Sequence, residues 1–183
     1  MTKGRIEVIA GPMFASKTDE LISCAERATY ARQPFQAFKP AKDTRSTVIR
    51  THGGRELDAT TVPYSAAIKE HLLPETQLVL IDEGQLFDKG LSANVLAISD
   101  RGIRVVVAGL SLNWRGEPWE PMPSLMAVAD HIIQLYAVCT VCGADATRSQ
   151  RLTASTEEVL IGSTKHYTAR CREHFSPTPL EAV

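Results

Sequence analysis

Lys17 and Thr18 close the stretch GPMFASKT, which follows the apolar run RIEVIA and opens the helical pattern TDELISCAERATYA. Residues of these types at this spacing suit an anion. After a strand the chain turns so that backbone N–H groups and a helix N-terminus converge, an ammonium adds charge beside the outer phosphates of a nucleotide, and a hydroxyl offers oxygen to magnesium. The competing reading is an ordinary strand-to-helix turn with Lys17 and Thr18 solvated. A second group bears on the choice: LVLIDE ends an apolar run in Asp82 and Glu83, where phosphoryl-transfer proteins place a carboxylate for hydrated magnesium. Acids at a strand end can be merely solvated. In an open α/β sheet, however, ligands gather at the carboxyl ends of the strands, so the two signals support each other.

Four other residues suit a metal. Cys139 and Cys142 form one pair and Cys171 and His174 another, with 28 residues between the pairs. Two such pairs supply the soft thiolates and imidazole of a tetrahedral structural zinc site, preferred here over unrelated thiols. Cys24 falls inside the first helical pattern and reads as a small buried side chain. His52, His71, His131 and His166 lack paired spacing. A zinc ribbon could bind nucleic acid, present a partner surface or clamp a loop over a pocket, and the spacing alone leaves these open.

The elements that must position these groups are short. RIEVIA (5–10), FQAFK (35–39), LVLIDE (78–83), VVVAG (105–109) and HIIQLY (131–136) read as strands. Helical patterns lie between most of them, including LSANVLAISD and the first helix, with Leu21, Ile22, Ala25, Ala28 and Tyr30 broadly on one side. Alternation of this kind predicts an α/β fold with a mostly parallel sheet flanked by helices. The polar segment KDTRSTVIRTHGGRELDATTVP reads as a hairpin or flap beside the strand ends. Composition shifts after Tyr136, so the expected organisation is a nucleotide-binding domain over 1–136 and a small zinc-binding lid subdomain over 137–183.

Bulk properties narrow the class. The chain has 183 residues, enough for one main core, and a formal net charge of −1. That balance argues against nucleic acid as the principal partner. No run approaches a signal peptide or a membrane span, which predicts a cytosolic protein.

In this order, GPMFASKTDELI, KPAKDTR, IDEGQLF, VAGLSLNWRGEPW, PMPSLMAVAD, CTVCGADATRSQRL and VLIGSTKHYTARCREHF resemble the zinc-bearing thymidine kinases of bacteria and animal cytosol over nearly the whole chain. The resemblance implies a P-loop kinase-like fold with a C-terminal zinc ribbon and a lasso-like loop. It also implies transfer of the γ-phosphoryl group of ATP, with magnesium, to the 5′-hydroxyl of a deoxynucleoside, thymidine foremost, by a homotetramer. On this pattern Glu83 is the base and Asp82 lies near the metal. Gly11, Pro12, Met13, Phe14, Ala15, Ser16, Lys17 and Thr18 cradle the phosphates, while Arg45, beside Asp43 and Thr44, steadies developing charge; Gln85 belongs to the same site. Leu86, Leu110, Trp114 and Ser149 line the base pocket, although core packing is the plainer reading of Leu110. Glu158, Val159, Leu160, Ile161 and Gly162 cover the nucleoside, Tyr167 closes over it, and Arg151 helps hold the lid. Cys139, Cys142, Cys171 and His174 hold structural zinc.

Departures from the family pattern cluster at the expected site. Ser16 stands where the family has glycine, and serine is penalised by roughly 1 kcal/mol or more if that position needs positive φ. Ser111 and Leu112 replace an acid and a glycine, Trp114 a stacking phenylalanine, Leu86 another aromatic, Ser149 a threonine and Ser163 a glycine. These changes motivate a second expectation, a nucleotide-binding member with weakened transfer or altered base preference. A third, a zinc-ribbon nucleic-acid binder, conflicts with the balanced charge.

Overall fold

The computed structural model describes residues 3–51, 53–155, 157, 160 and 165–179. Along the chain lie β1 (Ile6–Ala10), α1 (Lys17–Tyr30), β2 (Phe35–Pro40), β3 (Ile49–Arg50), β4 (Glu56–Leu57), β5 (Thr60–Val62) and α2 (Ala67–Glu70). There follow β6 (Leu78–Ile81), α3 (Leu91–Ser99), β7 (Arg104–Gly109), α4 (Met122–Val128) and β8 (His131–Gln134). The remainder carries β9 (Ala137–Val138), β10 (Asp145–Ala146), β11 (Arg148–Arg151) and β12 (Tyr167–Arg170).

Strands β5, β2, β6, β7, β1 and β8 form one sheet in that order, with every pairing parallel. Such strands are covered on both faces, which is why β1 and β6 are apolar and buried at nearly every position rather than alternating. On one face Val8, Val105 and Val107 pack with Val95 and Ile98 of α3 and Met122 and Leu125 of α4. On the other, Ile9, Leu80 and Val106 meet Leu21, Ile22, Ala25 and Ala28 of α1. Full burial of a side chain such as Leu21 contributes about 2 kcal/mol.

Helix α1 carries Asp19 and Glu20 in its first turn and Arg27 in its last, complementing the helix dipole. It stops where Arg32 turns to φ 54° and the Gln33 N–H donates back to Ala28 O at 2.9 Å. Tyr30 corrects the expected face: it is 90 % exposed. Two residues beyond Ala28 it lies about 200° further round the helix and points to solvent.

The polar segment after β2 holds the expected hairpin, β3 against β4. Arg55 in its loop pairs with Glu26 of α1 at 2.7 Å, fastening the hairpin beside the strand ends. The same segment also supplies the edge strand β5, which the sequence reading did not anticipate. Thr60 and Thr61 are polar and the strand has only three residues, so the apolar signal of an inner strand is absent.

After the sheet, β9 pairs with β10 and β11 with β12, both antiparallel. Ala137, Cys139, Ala146, Ala169 and Cys171 from these hairpins form a small core with Ala15 of the loop after β1. No helix among the described residues is long and apolar enough to cross a membrane.

Candidate active site

Parallel strands put their carboxyl ends on one edge, and the predicted residues follow those ends. The GPMFASKT loop follows β1, Asp43 and Arg45 follow β2, Asp82 and Glu83 follow β6, and Leu110 follows β7. Gly11 is required by packing: a Cβ there would lie 2.6 Å from Leu135 O. Phe14 and Ser16 have φ of 67° and 56°, with Ala15 between them outside that region. Alternation of this kind turns successive N–H groups inward as an anion nest. Ser16 is therefore left-handed, the conformation in which serine is penalised, and its side chain does not cap α1. Lys17 Nζ donates to Pro12 O at 2.6 Å. Desolvation lowers the Lys17 ammonium to about 8, against the opposing pull of Glu83 and Asp82.

The two carboxylates differ in setting. Asp82 is buried, and Thr18 Oγ1 lies 3.5 Å from its Oδ2. Burial, followed by the charge of Glu83, pushes Asp82 up to about 7. A buried acid beside another acid is suited to a cation, and the Thr18 hydroxyl beside it completes an oxygen pair of the kind magnesium takes. Glu83 sits at φ 52° and ψ 44°, a left-handed bend that turns the chain out of β6. The next residue must be small: a Cβ on Gly84 would lie 2.7 Å from Met122 Sδ and 2.8 Å from Val107.

Glu83 accepts from Arg45 Nη2 through Oε1 and from Gln85 Nε2 through Oε2. Gln85 Oε1 accepts the Leu110 N–H at 2.9 Å, which ties the ends of β6 and β7 together. Arg45 Nε donates to Asp43 Oδ1 at 2.6 Å. Burial pushes Asp43 up, but hydrogen bonds from Arg45 and Lys39 outweigh it and hold the carboxyl below its ordinary value.

These groups share one cavity of about 640 Å³, within the range of small-ligand sites. Met13, Phe14, Ser16, Lys17 and Thr18 line it on the loop side, and Asp43, Arg45, Asp82, Glu83 and Gln85 along the strand ends. Leu86, Leu110, Trp114, Ser149, Leu160 and Tyr167 complete its lining. Gly11, Pro12, Ala15 and Thr44 do not line it: Ala15 packs into the C-terminal core, and Thr44 is exposed. Glu158, Val159, Ile161 and Gly162 lie outside the described residues, as does Ser163.

Two expectations change in detail. Trp114 is buried with the guanidinium carbons of Arg115 and Arg151 each 4.3 Å from its ring centroid, so its ring is engaged by cations rather than offered as a free stacking face. Half-buried Trp119, from the same GEPW run, lines the cavity and was not singled out; its aromatic type within that motif was the available signal. The Ser149 hydroxyl accepts the Met13 N–H at 3.0 Å, a role no motif announced. Arg151 is fully buried and donates to Ser155 O, Glu157 O and the Tyr167 hydroxyl, while Tyr167 in turn donates to Leu160 O at 3.1 Å. Arg151 thus holds the start of the loop that precedes β12. Leu112, singled out as a departure from the family pattern, also lines the cavity, whereas Ser46 and Val48 of the flap were missed, being loop positions without a motif of their own.

The metal ligands predicted from spacing come together. The donor atoms of Cys139, Cys142, Cys171 and His174 all lie within 4.8 Å of one another. Cys142 Sγ and Cys171 Sγ are 3.8 Å apart and Cys171 Sγ lies 3.2 Å from His174 Nδ1. A tetrahedron with zinc–sulfur arms of about 2.3 Å has edges near 3.8 Å, so the donor set fits zinc. The first knuckle is built by the Gly143 N–H donating to Cys139 O at 2.9 Å, with Gly143 at φ 76°. Zinc there would cross-link β9–β10 to the end of β12.

Comparison with known proteins agrees with this geometry. The thymidine kinase family model matches residues 4–175. The chain is 44 % identical over 178 residues to a thymidine kinase of Bdellovibrio bacteriovorus, covering 96 % of this chain and 87 % of that protein. It is 43 % identical over 182 residues to a thymidine kinase of Mycoplasmoides gallisepticum, covering 94 % of this chain and 81 % of that protein. With a parallel α/β sheet, the GPMFASKT loop facing a carboxylate pair and a three-cysteine, one-histidine cluster, the chain belongs to the thymidine kinase family.

Proposed function

We propose that the protein transfers the γ-phosphoryl group of ATP to the 5′-hydroxyl of thymidine, with Glu83 as the base. The observation that carries this reading is the single cavity to which the phosphate loop, the carboxylate pair and the apolar pocket all contribute. The loop N–H groups and Lys17 hold the outer phosphates, and Leu86 and Leu110 bound the base. Thr18 and Asp82 would hold magnesium, which neutralises charge on the phosphates. Glu83 takes the proton of the 5′-hydroxyl as the oxygen bonds to phosphorus and the bond to ADP breaks. Arg45, now on Glu83, must turn toward the transferring group for Glu83 to receive that hydroxyl. Residues 137–183 act as a zinc-held lid, and the family resemblance supports a cytoplasmic homotetramer, tested by light scattering and cell fractionation.

The direct test is formation of nucleoside monophosphate and ADP from ATP, magnesium and a panel of deoxynucleosides. Thymidine should be turned over, and Glu83→Gln should lower kcat by roughly 10²–10⁴-fold while ATP binding persists. A folded, zinc-loaded protein that phosphorylates no pyrimidine nucleoside overturns the reading.

Ser16 at φ 56° favours a second reading, a nucleotide-binding protein with weakened transfer. Tight ATP binding with little turnover, and recovery of turnover in Ser16→Gly, would distinguish it.

A further inference from the structure

Lys39 lies on β2, is 1 % exposed and takes no part in lining the cavity. Its Nζ lies 2.9 Å from Asp43 Oδ2 and donates also to Ser46 O. An ammonium removed from water is tolerated only where its partners are well placed, and removing one member of such a pair leaves an uncompensated buried charge. Both partners flank Arg45, one two residues before it and the other one residue after it. Asp43 uses its other oxygen, Oδ1, for Arg45 Nε at 2.6 Å, and Arg45 continues to Glu83. Lys39 therefore anchors the Nε edge of the guanidinium through Asp43 and the backbone that carries it through Ser46 O, so that the Nη2 edge, now on Glu83, can turn toward the transferring group about a fixed pivot.

We infer that Lys39 is a positioning residue for phosphoryl transfer, acting through Asp43 to aim Arg45 at the reacting phosphate; this rests on the kinase reading above. Three observations set it apart from a generic buried ion pair. The ammonium is out of reach of substrate, its two acceptors bracket a single side chain, and that side chain ends on the proposed base. Asp43 alone could rotate about its side-chain torsions, whereas the Lys39 contact to one oxygen leaves the other facing Arg45. A misplacement of about 1 Å at such a group costs on the order of 10²-fold in rate.

The experiment is a double-mutant cycle between Lys39→Met and Arg45→Ala, read as kcat and KM for thymidine and ATP, with melting temperature and zinc content as checks on folding. Lys39→Met should lower kcat by about 10–100-fold with KM for thymidine little changed, and Lys39→Arg should recover part of the loss. In the Arg45→Ala background Lys39→Met should cost nothing further, because there is no guanidinium left to aim. If Lys39→Met does not fold, Lys39→Met with Asp43→Asn removes both buried charges and takes its place, with the same non-additivity expected against Arg45→Ala. An unchanged kcat in the folded variant, or an equal loss in both backgrounds, overturns the inference while leaving the kinase reading intact. A wild-type protein without phosphoryl transfer overturns both.

Discussion

The Met13 N–H of the GPMFASKT loop, proposed to hold phosphate, donates to Ser149 Oγ of β11 at 3.0 Å, across 136 residues of chain. Ser149 is buried, so its loss leaves a donor without a partner. Ser149→Ala should destabilise the protein by about 2 kcal/mol, a fall in Tm of roughly 4–8 °C. Because the freed N–H belongs to the loop, KM for ATP should rise more than KM for thymidine. Ser149→Thr keeps the hydroxyl and should lie close to wild type. Scanning calorimetry with initial-rate kinetics reads both effects, and an unchanged Tm together with an unchanged KM for ATP would show that this bond carries no weight.

Ser16 at φ 56° is the loop residue whose chemistry conflicts with its backbone. Left-handed geometry costs a residue with a Cβ about 1–2 kcal/mol, while glycine gives back part of that gain in unfolded-state entropy. Ser16→Gly should therefore raise stability by about 0.5–1 kcal/mol, or roughly 1–4 °C in Tm. It should also improve kcat/KM for ATP by letting phosphate approach the backbone more closely. Ser16→Val, β-branched at the same φ, should do the reverse on both measures.

Much of the fold and of the candidate site is legible in the sequence, for identifiable reasons. β1, β6 and β7 are continuous apolar runs because a parallel sheet buries both faces, and that signal is local. The four residues of the Cys/His cluster are legible because two closely spaced pairs bring four soft donors together with little chain between the members of each pair. What escaped depends on contacts distant in sequence. β5 is an edge strand held mainly by its pairing with β2, and Ser149 finds Met13 only once the C-terminal hairpins fold against the loop. The φ of Ser16 and the cation contacts on Trp114 are likewise outcomes of packing; the residue types posed the question without answering it. Tyr30 shows the opposite error, in which an apolar-looking type was assigned a buried face that helical geometry denies it.

Asp82 should leave a mark on stability that runs against ordinary acid denaturation. Its carboxyl is pushed up to about 7 in the fold by burial, ahead of the charge of Glu83, whereas an unfolded aspartate titrates near 4. Between those values the folded state binds the extra proton, so stability rises as pH falls from 8 to 6. Glu7, Asp43 and Asp88 behave oppositely: each is held below its ordinary value, so their contributions persist through this window and are lost only as pH falls through their folded values. Lys17, lowered to about 8 by burial, opposes this at the upper end of the window, where protonating it costs stability as pH falls. Melting of nucleotide-free, magnesium-free protein should therefore show Tm climbing toward pH 6 in wild type, most clearly below pH 7, and no climb in Asp82→Asn. A parallel climb in both proteins would remove Asp82 as the source.

Zinc should matter to the nucleotide as well as to the fold. The cluster joins the β9–β10 hairpin to the end of β12, and the small core beneath it includes Cys139 and Cys171 together with Ala15 of the GPMFASKT loop. β12 pairs with β11, which carries Ser149 and Arg151, so loosening the knuckles frees the Met13 contact and the buried guanidinium together. Removal of the metal from a structural site withdraws the free energy that closes it, and the parallel sheet, whose core lies elsewhere, should survive. Chelation, or Cys171→Ser, should therefore leave most far-ultraviolet circular dichroism in place while lowering Tm and weakening ATP binding. Zinc added back to the chelated wild type should restore affinity, and Cys171→Ser should not respond. Because the thiolates and His174 must shed protons to bind metal, the loss under a fixed chelator concentration should be greater at pH 6 than at pH 8. ATP affinity that is indifferent to zinc content would separate the cluster from the phosphate loop and confine its role to the C-terminal hairpins.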